Sequence, residues 1–330
     1  MTELVRVLVI CPEALDNQAW WRVTYPLSVS PRFLLNIPSQ VGWMEIARAN
    51  VAVLQRPFTD QHLGILRMVR QLGVPVVLDF DDLLWQLPEG HPSENHYGPN
   101  ASRVASECIR EAALTITCTP TLAREIHARG ARRVEVVPNA FPEYLRWNVP
   151  QSARTVWWRG GSMHQTDIDG MEEEIIAVMQ KHPDWGFFAA GCTLTKMRRA
   201  LGARFKHQGV RALQDYHNQM QAVSPAVMVG PLEDIPFNRC KSNIGWMEAS
   251  LAGAVYVAPD FDEYAVPGCV RYKPGEFAAT LDAAMSMTNA ERLANVAHAR
   301  EYIDANLRIS KVNPRRDELI VGVAKAGVVP

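Results

Sequence analysis

Residues 155–167 read TVWWRGGSMHQTD, and this stretch decides the fold class of the chain. Its apolar part, Val156–Trp158, has the length of a buried strand, and Gly160 and Gly161 permit a tight turn before a helical pattern. A continuous apolar strand, a glycine turn and a helix form the repeating unit of a parallel sheet covered on both faces. The stretch therefore predicts an α/β fold.

The same alternation continues in both directions along the chain. We predict helices between the strands, such as 62–72 and 121–129, and a helical stretch at 290–325 that breaks near Asn313 and Pro314. A Pro-bounded stretch at 138–150 separates two series of strands, which indicates two doubly wound domains, 1–150 and 151–305. The strands are predicted at 5–11, 51–54, 74–80, 114–118 and 134–137, and then at 155–158, 186–190, 226–229 and 254–258.

The composition excludes several classes of protein. With 48% hydrophobic and 21% charged residues, the 330-residue chain is typical of globular proteins rather than of disordered ones. Its net charge of -1 provides no general attraction to nucleic acid or anionic lipid. The sequence has no apolar run of about 18 residues, so we expect a cytoplasmic protein without stable membrane association. The six cysteines lack zinc-site spacing, so we expect no metal.

The 155–167 stretch also predicts an anion site. A strand that leads into Arg159, Gly160, Gly161 and Ser162 lets backbone amides approach a diphosphate, with Arg159 and a helix N-terminus supplying positive potential. A tight turn that needs glycine explains the same residues, so both interpretations remain. On the following helix, His164 and Asp167 form either a ligand-facing pair or a solvated first turn.

A second stretch, residues 230–253, reads GPLEDIPFNRCKSNIGWMEASLAG. With Ser242 as the predicted N-cap, Lys241 and Glu248 lie on one face of a helix, and Gly245 lies between them. In this order, the cation suits a phosphate, the glycine lets a ligand approach the backbone closely, and the carboxylate suits a ribose diol. A helix buried only for packing explains the apolar positions but not a glutamate beside tryptophan and methionine.

These two stretches resemble the nucleotide-binding domain of retaining glycosyltransferases of family 4, of a compact phage-like type. The resemblance rests on the glycine-rich loop and on PxxDIPFNxxKSNIxxxE followed by AGAVYVAP. The acceptor-side domain of the same family resembles four stretches of the first half, namely residues 54–56, 76–85, 117–120 and 136–139. It implies the GT-B fold, with two Rossmann-like domains facing each other across a cleft. Residues 306–330 are then expected to pack back on the first domain.

The resemblance also implies the roles of individual residues. The substrate is a nucleoside-diphosphate-sugar, with UDP preferred over GDP, and Glu248 holds its ribose while Lys241 and Arg159 hold the diphosphate. Cys240 stands where the family commonly has a second glutamate, so Asp234 or Asn238 is expected to replace that contact. The implied donor-binding set is Gly160, Gly161, Ser162, His164, Asp234, Asn238 and Glu248.

The implied reaction is transfer with retention, without a cofactor or a metal, in which the departing phosphate takes the acceptor proton. Asp79, Asp81 and Asp82 resemble a metal-binding Asp-x-Asp, but they follow a buried strand. We expect them to orient the acceptor or to contact the donor sugar, and helix capping is the alternative. The predicted catalytic groups are Arg159, Lys241, Asp81 and Asp82.

The acceptor is expected to be a soluble compound with a hydroxyl group. Trp20, Trp21 and Arg22, on the loop after the first strand, either stack on sugar rings or bases or form a small core, and Asp79 is the other predicted acceptor contact. A basic stretch at 196–211 motivates one specific acceptor, a hydroxymethylated pyrimidine in DNA. The alternatives are a non-catalytic binding module for nucleotide-sugars or nucleic acids and a nicotinamide-dependent dehydrogenase, although the latter's GxGxxG is missing near residue 10.

Overall fold

The computed structural model describes residues 4–11, 17–88, 90–91 and 94–327, apart from the side chains of residues 95 and 96. These residues form two compact units. Unit 1 consists of the chain up to Ala140, of Cys240–Ser242 and of the chain from Leu307 onward. Unit 2 consists of Phe141–Arg239 and Asn243–Asn306.

Unit 1 is built on a parallel sheet that has six strands in the described chain, in the order β2-β1-β3-β4-β5-β6. All residues of β3 and β4 are buried because helices cover both faces, so these strands are apolar at consecutive positions. The strands are β1 (Val5–Ile10), β2 (Phe33–Asn36), β3 (Val51–Gln55), β4 (Val76–Phe80), β5 (Leu114–Thr117) and β6 (Val134–Val136).

The helices of unit 1 begin at polar caps where the sequence provides them. Thr59 accepts from the backbone N–H of His62 at 3.2 Å, and Thr119 accepts from that of Leu122 at 3.1 Å. The helices before residue 140 are α1 (Asn17–Ala19), α2 (Tyr25–Ser28), α3 (Trp43–Ala47), α4 (Asp60–Gln71), α5 (Glu94–Tyr97), α6 (Ala101–Glu111) and α7 (Pro120–Ala128), and Trp20–Thr24 form a π-helix between α1 and α2.

Unit 2 contains a second parallel sheet, whose six described strands have the order β12-β11-β10-β7-β8-β9. Val156 and Trp158 of β7 point into a core with Ile175 and Phe277, whereas Trp157 stacks on Phe188 with ring centroids 4.2 Å apart. The strands are β7 (Ala153–Gly160), β8 (Gly186–Gly191), β9 (Phe205–Gln208), β10 (Pro225–Val229), β11 (Val255–Pro259) and β12 (Cys269–Tyr272).

The helices of unit 2 connect these strands. Among them, α13 is buried from Gly245 to Ala252 and ends at Gly253, whose φ of 80° is the left-handed conformation that glycine tolerates. The helices are α8 (Gln165–Asp169), α9 (Glu172–Lys181), α10 (Thr195–Leu201), α11 (Leu213–Val223), α12 (Pro236–Arg239), α13 (Ile244–Ala252), α14 (Phe277–Ser286) and α15 (Asn289–Asn306), with 3-10 turns at Ser162–His164, Gly202–Arg204 and Asp262–Tyr264.

The C-terminal helix α16 (Ile309–Ala326) belongs to unit 1. The predicted helix break near Asn313 and Pro314 is wrong, because α16 continues through Pro314. The helical structure is interrupted at Leu307–Arg308 instead, between α15 and α16. Proline removes one backbone hydrogen bond near the start of the helix, and the burial of Ile309 and Ile320 in the core of unit 1 offsets that loss.

The predicted α/β fold with parallel sheets is confirmed. Three short strands, β2, β9 and β12, were not predicted, and each lies at an edge of its sheet. In the part of the chain described here, every helix is too short or too polar to cross a bilayer.

Candidate functional site

The predicted glycine turn lies at the carboxyl end of β7, where parallel α/β sheets bind ligands. A Cβ on Gly160 would lie 2.5 Å from the Trp158 ring, and a Cβ on Gly191 would lie 2.0 Å from the Gly160 carbonyl oxygen. Packing alone therefore requires glycine at position 160. A Cβ on Gly161, in contrast, would meet no atom within 4 Å, so its backbone lies beside open space.

The helix predicted after this turn is short. Ser162–His164 form a 3-10 turn, and α8 ends at Asp169. A helix dipole depends on several aligned turns, so its contribution to anion binding here is small. Arg159, the next-to-last residue of β7, supplies a positive charge at this end of the strand.

Arg159 and Glu248 form an ion pair on the face of the sheet covered by α11 and α13. Arg159 Nε donates to Glu248 Oε2 at 2.8 Å. Tyr216 Oη donates to the same oxygen at 3.4 Å, and His217 Nε2 lies 3.4 Å from Glu248 Oε1. Glu248 is buried, whereas about a third of the Arg159 side chain remains exposed. The pair thus has a fixed carboxylate and a partly accessible guanidinium.

The electrostatics of this pair favour its charged form. Burial alone would raise the pKa of Glu248, but Arg159 and His217 outweigh burial and lower that pKa below its ordinary value. Burial, the largest single effect, would lower the pKa of Arg159, but Glu248 and the neighbouring tyrosines together outweigh it and raise that pKa above its ordinary value. Burial and Glu248 together raise the pKa of Tyr216, which therefore stays a neutral donor.

Lys241 and Glu248 do not share a helix, so the predicted common face is wrong. Helix α13 begins at Ile244 with Asn243 in the N-cap position, and Lys241 and Ser242 precede it. Ser242 is not the cap because its Oγ accepts instead from Asn139 Nδ2 at 2.8 Å.

The absence of a side chain at Gly245 also has a packing reason, because a Cβ there would lie 2.3 Å from the Tyr256 hydroxyl. The Tyr256 ring therefore fills the space that the sequence suggested for close approach of a ligand.

The two residues proposed to replace the missing glutamate have different surroundings. Asp234 is exposed and forms an ion pair with Arg239, with Arg239 Nη2 2.7 Å from Asp234 Oδ2. Asn238 is buried, and its Nδ2 donates to Asp167 Oδ1 at 2.7 Å. Asp167 also accepts from the Glu233 backbone at 3.0 Å and lies 3.0 Å from His164 Nδ1. Asp167 thus joins the loop after β7 to the loop after β10.

In unit 1, Arg22 is buried and bound to Asp79. Arg22 Nε and Nη2 donate to the two oxygens of Asp79 at 3.0 and 2.8 Å, and Nη1 donates to the Val137 carbonyl at 2.8 Å. Trp21 is buried as well, and Trp20 stacks on Tyr25 with ring centroids 4.9 Å apart. The predicted loop is therefore wrong at residues 17–28, which are helical because their apolar side chains pack on the sheet.

Asp81 and Asp82 form an ion-pair cluster at the carboxyl end of β4. Arg56 Nε and Nη2 contact both oxygens of Asp81, Arg56 Nη2 donates to Asp82 Oδ2 at 2.8 Å, and Lys241 Nζ donates to Asp82 Oδ1 at 3.4 Å. Burial, followed by repulsion from Asp82 and Asp79, raises the pKa of Asp81 above its ordinary value despite Arg56. Among the described residues, no three His, Cys, Asp or Glu side chains converge as metal ligands would.

The basic stretch at 196–211 divides into two kinds of side chain. Arg204 Nη1 donates to the carbonyl oxygens of Met179, His182 and Trp185, so this guanidinium supports the fold. Arg198 and Arg199 are exposed.

No protein-family model and no curated protein matches the sequence. Among solved structures, the chain is similar to HepE of Anabaena in complex with UDP and glucose, with 15% identity and a TM-score of 0.69, covering 96% of this chain and 100% of HepE. It is also similar to sucrose-phosphate synthase of Thermosynechococcus elongatus, with 14% identity, a TM-score of 0.64 and coverage of 97% and 89%. TarM matches with 10% identity and a TM-score of 0.62 over 83% of this chain and 54% of TarM. The fold is GT-B.

Within this GT-B fold, sequence reasoning missed three side chains that surround the predicted residues. Arg56 has a φ of 45°, which is rare for a residue other than glycine, and it binds both Asp81 and Asp82. Tyr216 and His217 contact Glu248 from α11. Their only sequence signal was a polar pair within an amphipathic helix, which is too common to indicate a site.

Proposed function

We propose that this protein is a glycosyltransferase that moves a sugar from a nucleoside-diphosphate-sugar, preferably a UDP-sugar, to a hydroxyl acceptor with retention of configuration. The observation that carries the proposal is the Arg159–Glu248 pair beside the glycine turn at the carboxyl end of β7. The pair offers a carboxylate and a guanidinium side by side, which are the groups that a ribose diol and a diphosphate need.

Glu248 has the capacity to accept a ribose hydroxyl without losing a partner. A carboxylate oxygen has about two acceptor positions. Oε2 uses both, for Arg159 and Tyr216, whereas among the described residues Oε1 has a hydrogen-bond contact with His217 only. Because Glu248 is held on both sides, its free position is oriented before the donor binds, which reduces the entropy lost on binding.

Arg159 is suited to the diphosphate because only its Nε is used within the described protein contacts. About a third of its side chain is exposed, and its terminal nitrogens can donate two parallel hydrogen bonds to a phosphate. The open space beside Gly161 lets the backbone of residues 160–162 approach the same phosphates. The role of Lys241 as a second diphosphate contact stays a prediction.

In the proposed reaction, the bond from the sugar C1 to the diphosphate oxygen breaks while the acceptor oxygen bonds to C1 on the same face of the ring. The acceptor proton passes to an oxygen of the departing phosphate, so no side chain needs to act as the nucleophile. The protein's contribution is electrostatic, because Arg159 stabilises the charge that develops on the diphosphate. A preorganised donor of this kind contributes about 3 kcal/mol in enzymes where one has been removed by mutation.

We propose that transfer proceeds without a metal, because protein cations provide the positive charge. The test is transfer activity after chelation by EDTA, with and without added manganese. A requirement for manganese would overturn this part of the proposal. Family 4 membership and the retaining course also stay proposals, and the anomeric configuration of the product, read by NMR, tests retention.

The structural neighbours support a nucleotide-sugar as the donor. HepE has been solved in complex with UDP and glucose and in complex with UDP-glucose. Neither alternative from the sequence, a nicotinamide-dependent dehydrogenase or a non-catalytic binding module, is favoured by these neighbours. The acceptor is proposed only as a hydroxyl compound, and hydroxymethylated DNA stays a prediction.

The deciding experiment is a panel of UDP-sugars and GDP-sugars assayed for transfer and for slow donor hydrolysis. We expect turnover with at least one UDP-sugar and its loss in Arg159→Ala. The matched control is Arg154→Ala, since Arg154 lies on the same strand but is exposed at the opposite end, where it pairs with Asp184. Absence of binding and turnover with every nucleotide-sugar, in a folded protein, would overturn the proposal.

A further inference from the structure

A tyrosine hydroxyl lies between two glycines of unit 2. A Cβ added to Gly230 would lie 1.9 Å from the Tyr256 hydroxyl oxygen, and a Cβ added to Gly245 would lie 2.3 Å from the same oxygen. In both cases the nearest atom is the hydroxyl oxygen rather than a ring carbon. The two glycines therefore make room for the hydroxyl group itself, and a phenylalanine at position 256 would need less space.

Tyr256 belongs to β11, but its hydroxyl reaches the carboxyl end of the neighbouring strand β10. The register pairs Tyr256 with Met228, and Gly230 follows the last residue of β10. The side chain therefore runs along the sheet toward the edge where parallel α/β sheets bind ligands. The register of β10 with β7 places Gly230 level with Arg159. The hydroxyl thus lies at the same end of the sheet as the proposed diphosphate contact.

Tyr256 and Arg159 are close enough to affect each other's ionisation. Burial raises the pKa of Tyr256 above its ordinary value, although the charge of Arg159 opposes this effect. The hydroxyl therefore stays protonated. Tyr216 and Tyr264 influence Arg159 as Tyr256 does, so three neutral phenol groups lie near one guanidinium. Of these, Tyr216 already donates to Glu248.

The Tyr256 hydroxyl accepts one hydrogen bond and keeps its own proton. Tyr264 lies beside it, with ring centroids 5.9 Å apart. Burial and then Tyr256 raise the pKa of Tyr264, and a hydrogen bond between the two hydroxyls contributes to that effect, so Tyr264 is the donor. In the part of the chain that the structure describes, no acceptor takes the proton of Tyr256, which is only 6% exposed. A buried hydroxyl with an unused proton is unfavourable, so we expect a partner from outside the chain.

We propose that the Tyr256 hydroxyl donates a hydrogen bond to the diphosphate of the sugar donor. This inference rests on the proposed function and adds a third group at the diphosphate, after Arg159 and the backbone of residues 160–162. An anion is the partner that fits, because a partly exposed guanidinium lies nearby. The Tyr256 ring covers Gly245 in the first turn of α13, so a phosphate at this point meets the phenol hydroxyl instead of the backbone amide.

The experiment is titration of the wild type and of Tyr256→Phe with UDP and with uridine, followed by NMR of the ligands. The variant keeps the ring between the two glycines and removes only the hydroxyl. We expect its Kd for UDP to rise at least about tenfold, as for the loss of a hydrogen bond to a charged group. Its Kd for uridine should stay unchanged, because uridine has no phosphate. A cooperative unfolding curve in urea would show that the variant is folded.

The matched control is Tyr272→Phe. Tyr272 is a buried tyrosine on the adjacent strand β12, but it packs in the core with Val257, on the face of the sheet opposite to Tyr256. Its hydroxyl accepts from the Leu232 N–H at 3.4 Å, and the variant should bind UDP as the wild type does.

Three results would overturn the assignment of Tyr256 and leave the proposed function intact. The first is an equal affinity of Tyr256→Phe and the wild type for UDP. The second is an equal loss of affinity for UDP and for uridine, which would mean that Tyr256 only shapes the pocket. The third is a loss in Tyr272→Phe as large as that in Tyr256→Phe. A folded wild type that binds neither UDP nor any nucleotide-sugar would instead overturn the proposed function, and this inference with it.

Discussion

Replacing Glu248 by glutamine tests the proposed donor site most directly. The variant keeps the shape of the side chain and removes its charge, so Arg159 loses the carboxylate oxygen that now lies 2.8 Å from its Nε. Hydrogen bonds to charged groups contribute about 1.5–3 kcal/mol, so loss of the ribose contact should weaken UDP binding roughly 10- to 100-fold. We therefore expect a higher Kd for UDP in Glu248→Gln.

The assay is calorimetric titration with UDP and with 2′-deoxy-UDP. The wild type should prefer UDP, and Glu248→Gln should bind both nucleotides equally. The two proteins and the two nucleotides together form a double-mutant cycle, which isolates the contact between the carboxylate and the ribose hydroxyl. Glu172→Gln is the control, since Glu172 is also a buried glutamate but belongs to α9. It should leave both affinities unchanged.

Stability provides an independent check on the same variant. Breaking a fully buried ion pair costs about 3–5 kcal/mol, but Arg159 is partly exposed and water can solvate it, so we expect a loss of about 1–2 kcal/mol. Because the pKa of Glu248 is lowered on folding, its contribution is present above the unfolded pKa of about 4.3 and is lost as pH falls below it. A folded Glu248→Gln that binds UDP within about threefold of the wild type, and still rejects 2′-deoxy-UDP, would refute the assignment.

Other parts of the structure lead to further predictions. Arg22→Met should cost about 3–5 kcal/mol of stability in urea unfolding, since it leaves a buried aspartate unpaired. Arg316→Met should instead be neutral or stabilising, since Nε and Nη2 of the buried Arg316 have no hydrogen-bond partner among the described residues and burial lowers its pKa to about 9. A large loss in Arg316→Met would contradict this contrast. Burial and then Asp262 raise the pKa of Glu263 to about 7, so the folded state binds the extra proton. The wild type should therefore lose stability as pH rises from the unfolded pKa of about 4.3 through 7, and Glu263→Gln should show a smaller loss. Equal pH profiles for the two proteins would rule this out. If DNA is the acceptor, binding to hydroxymethylated duplex should weaken by orders of magnitude between about 50 and 200 mM salt. The double variant with Arg198→Glu and Arg199→Glu should show a weaker dependence of affinity on salt. Binding that is absent or insensitive to salt would argue against DNA.

The central strands were predictable, but three of the four edge strands in the described part of the chain were not. Val76–Phe80 and Val51–Gln55 are buried on both faces, so their apolar runs are visible in the sequence. The edge strands Phe205–Gln208 and Cys269–Tyr272 mix polar and apolar residues, because an edge strand is partly solvated. A strand of four such residues cannot be distinguished from a loop by the periodicity of its apolar residues alone.

The site was predictable as residue types but not as contacts. Arg159 was singled out by the glycine turn that follows it and Glu248 by its apolar neighbours. The two lie 89 positions apart, and only the fold brings them together. The expected face shared by Lys241 and Glu248 failed because Lys241 precedes both Ser242 and Asn243, so it lies outside the helix whichever of the two is the N-cap. Burial of Arg22 was one of two interpretations of the sequence, but its partner could not be predicted because Asp79 is 57 positions away.

The return of α16 to unit 1 determines the order in which a nascent chain can complete its structure. Ser30 Oγ donates to Asp317 Oδ2 at 2.7 Å, and Asn313 Nδ2 donates to the Pro26 carbonyl at 2.7 Å, so the first helical segment needs partners from the last one. All of residues 141–306 are synthesised between these segments, which at ribosomal rates takes on the order of ten seconds. During that interval the face of the first sheet that α16 later covers stays exposed, whereas unit 2 has all its residues as soon as Asn306 leaves the ribosome.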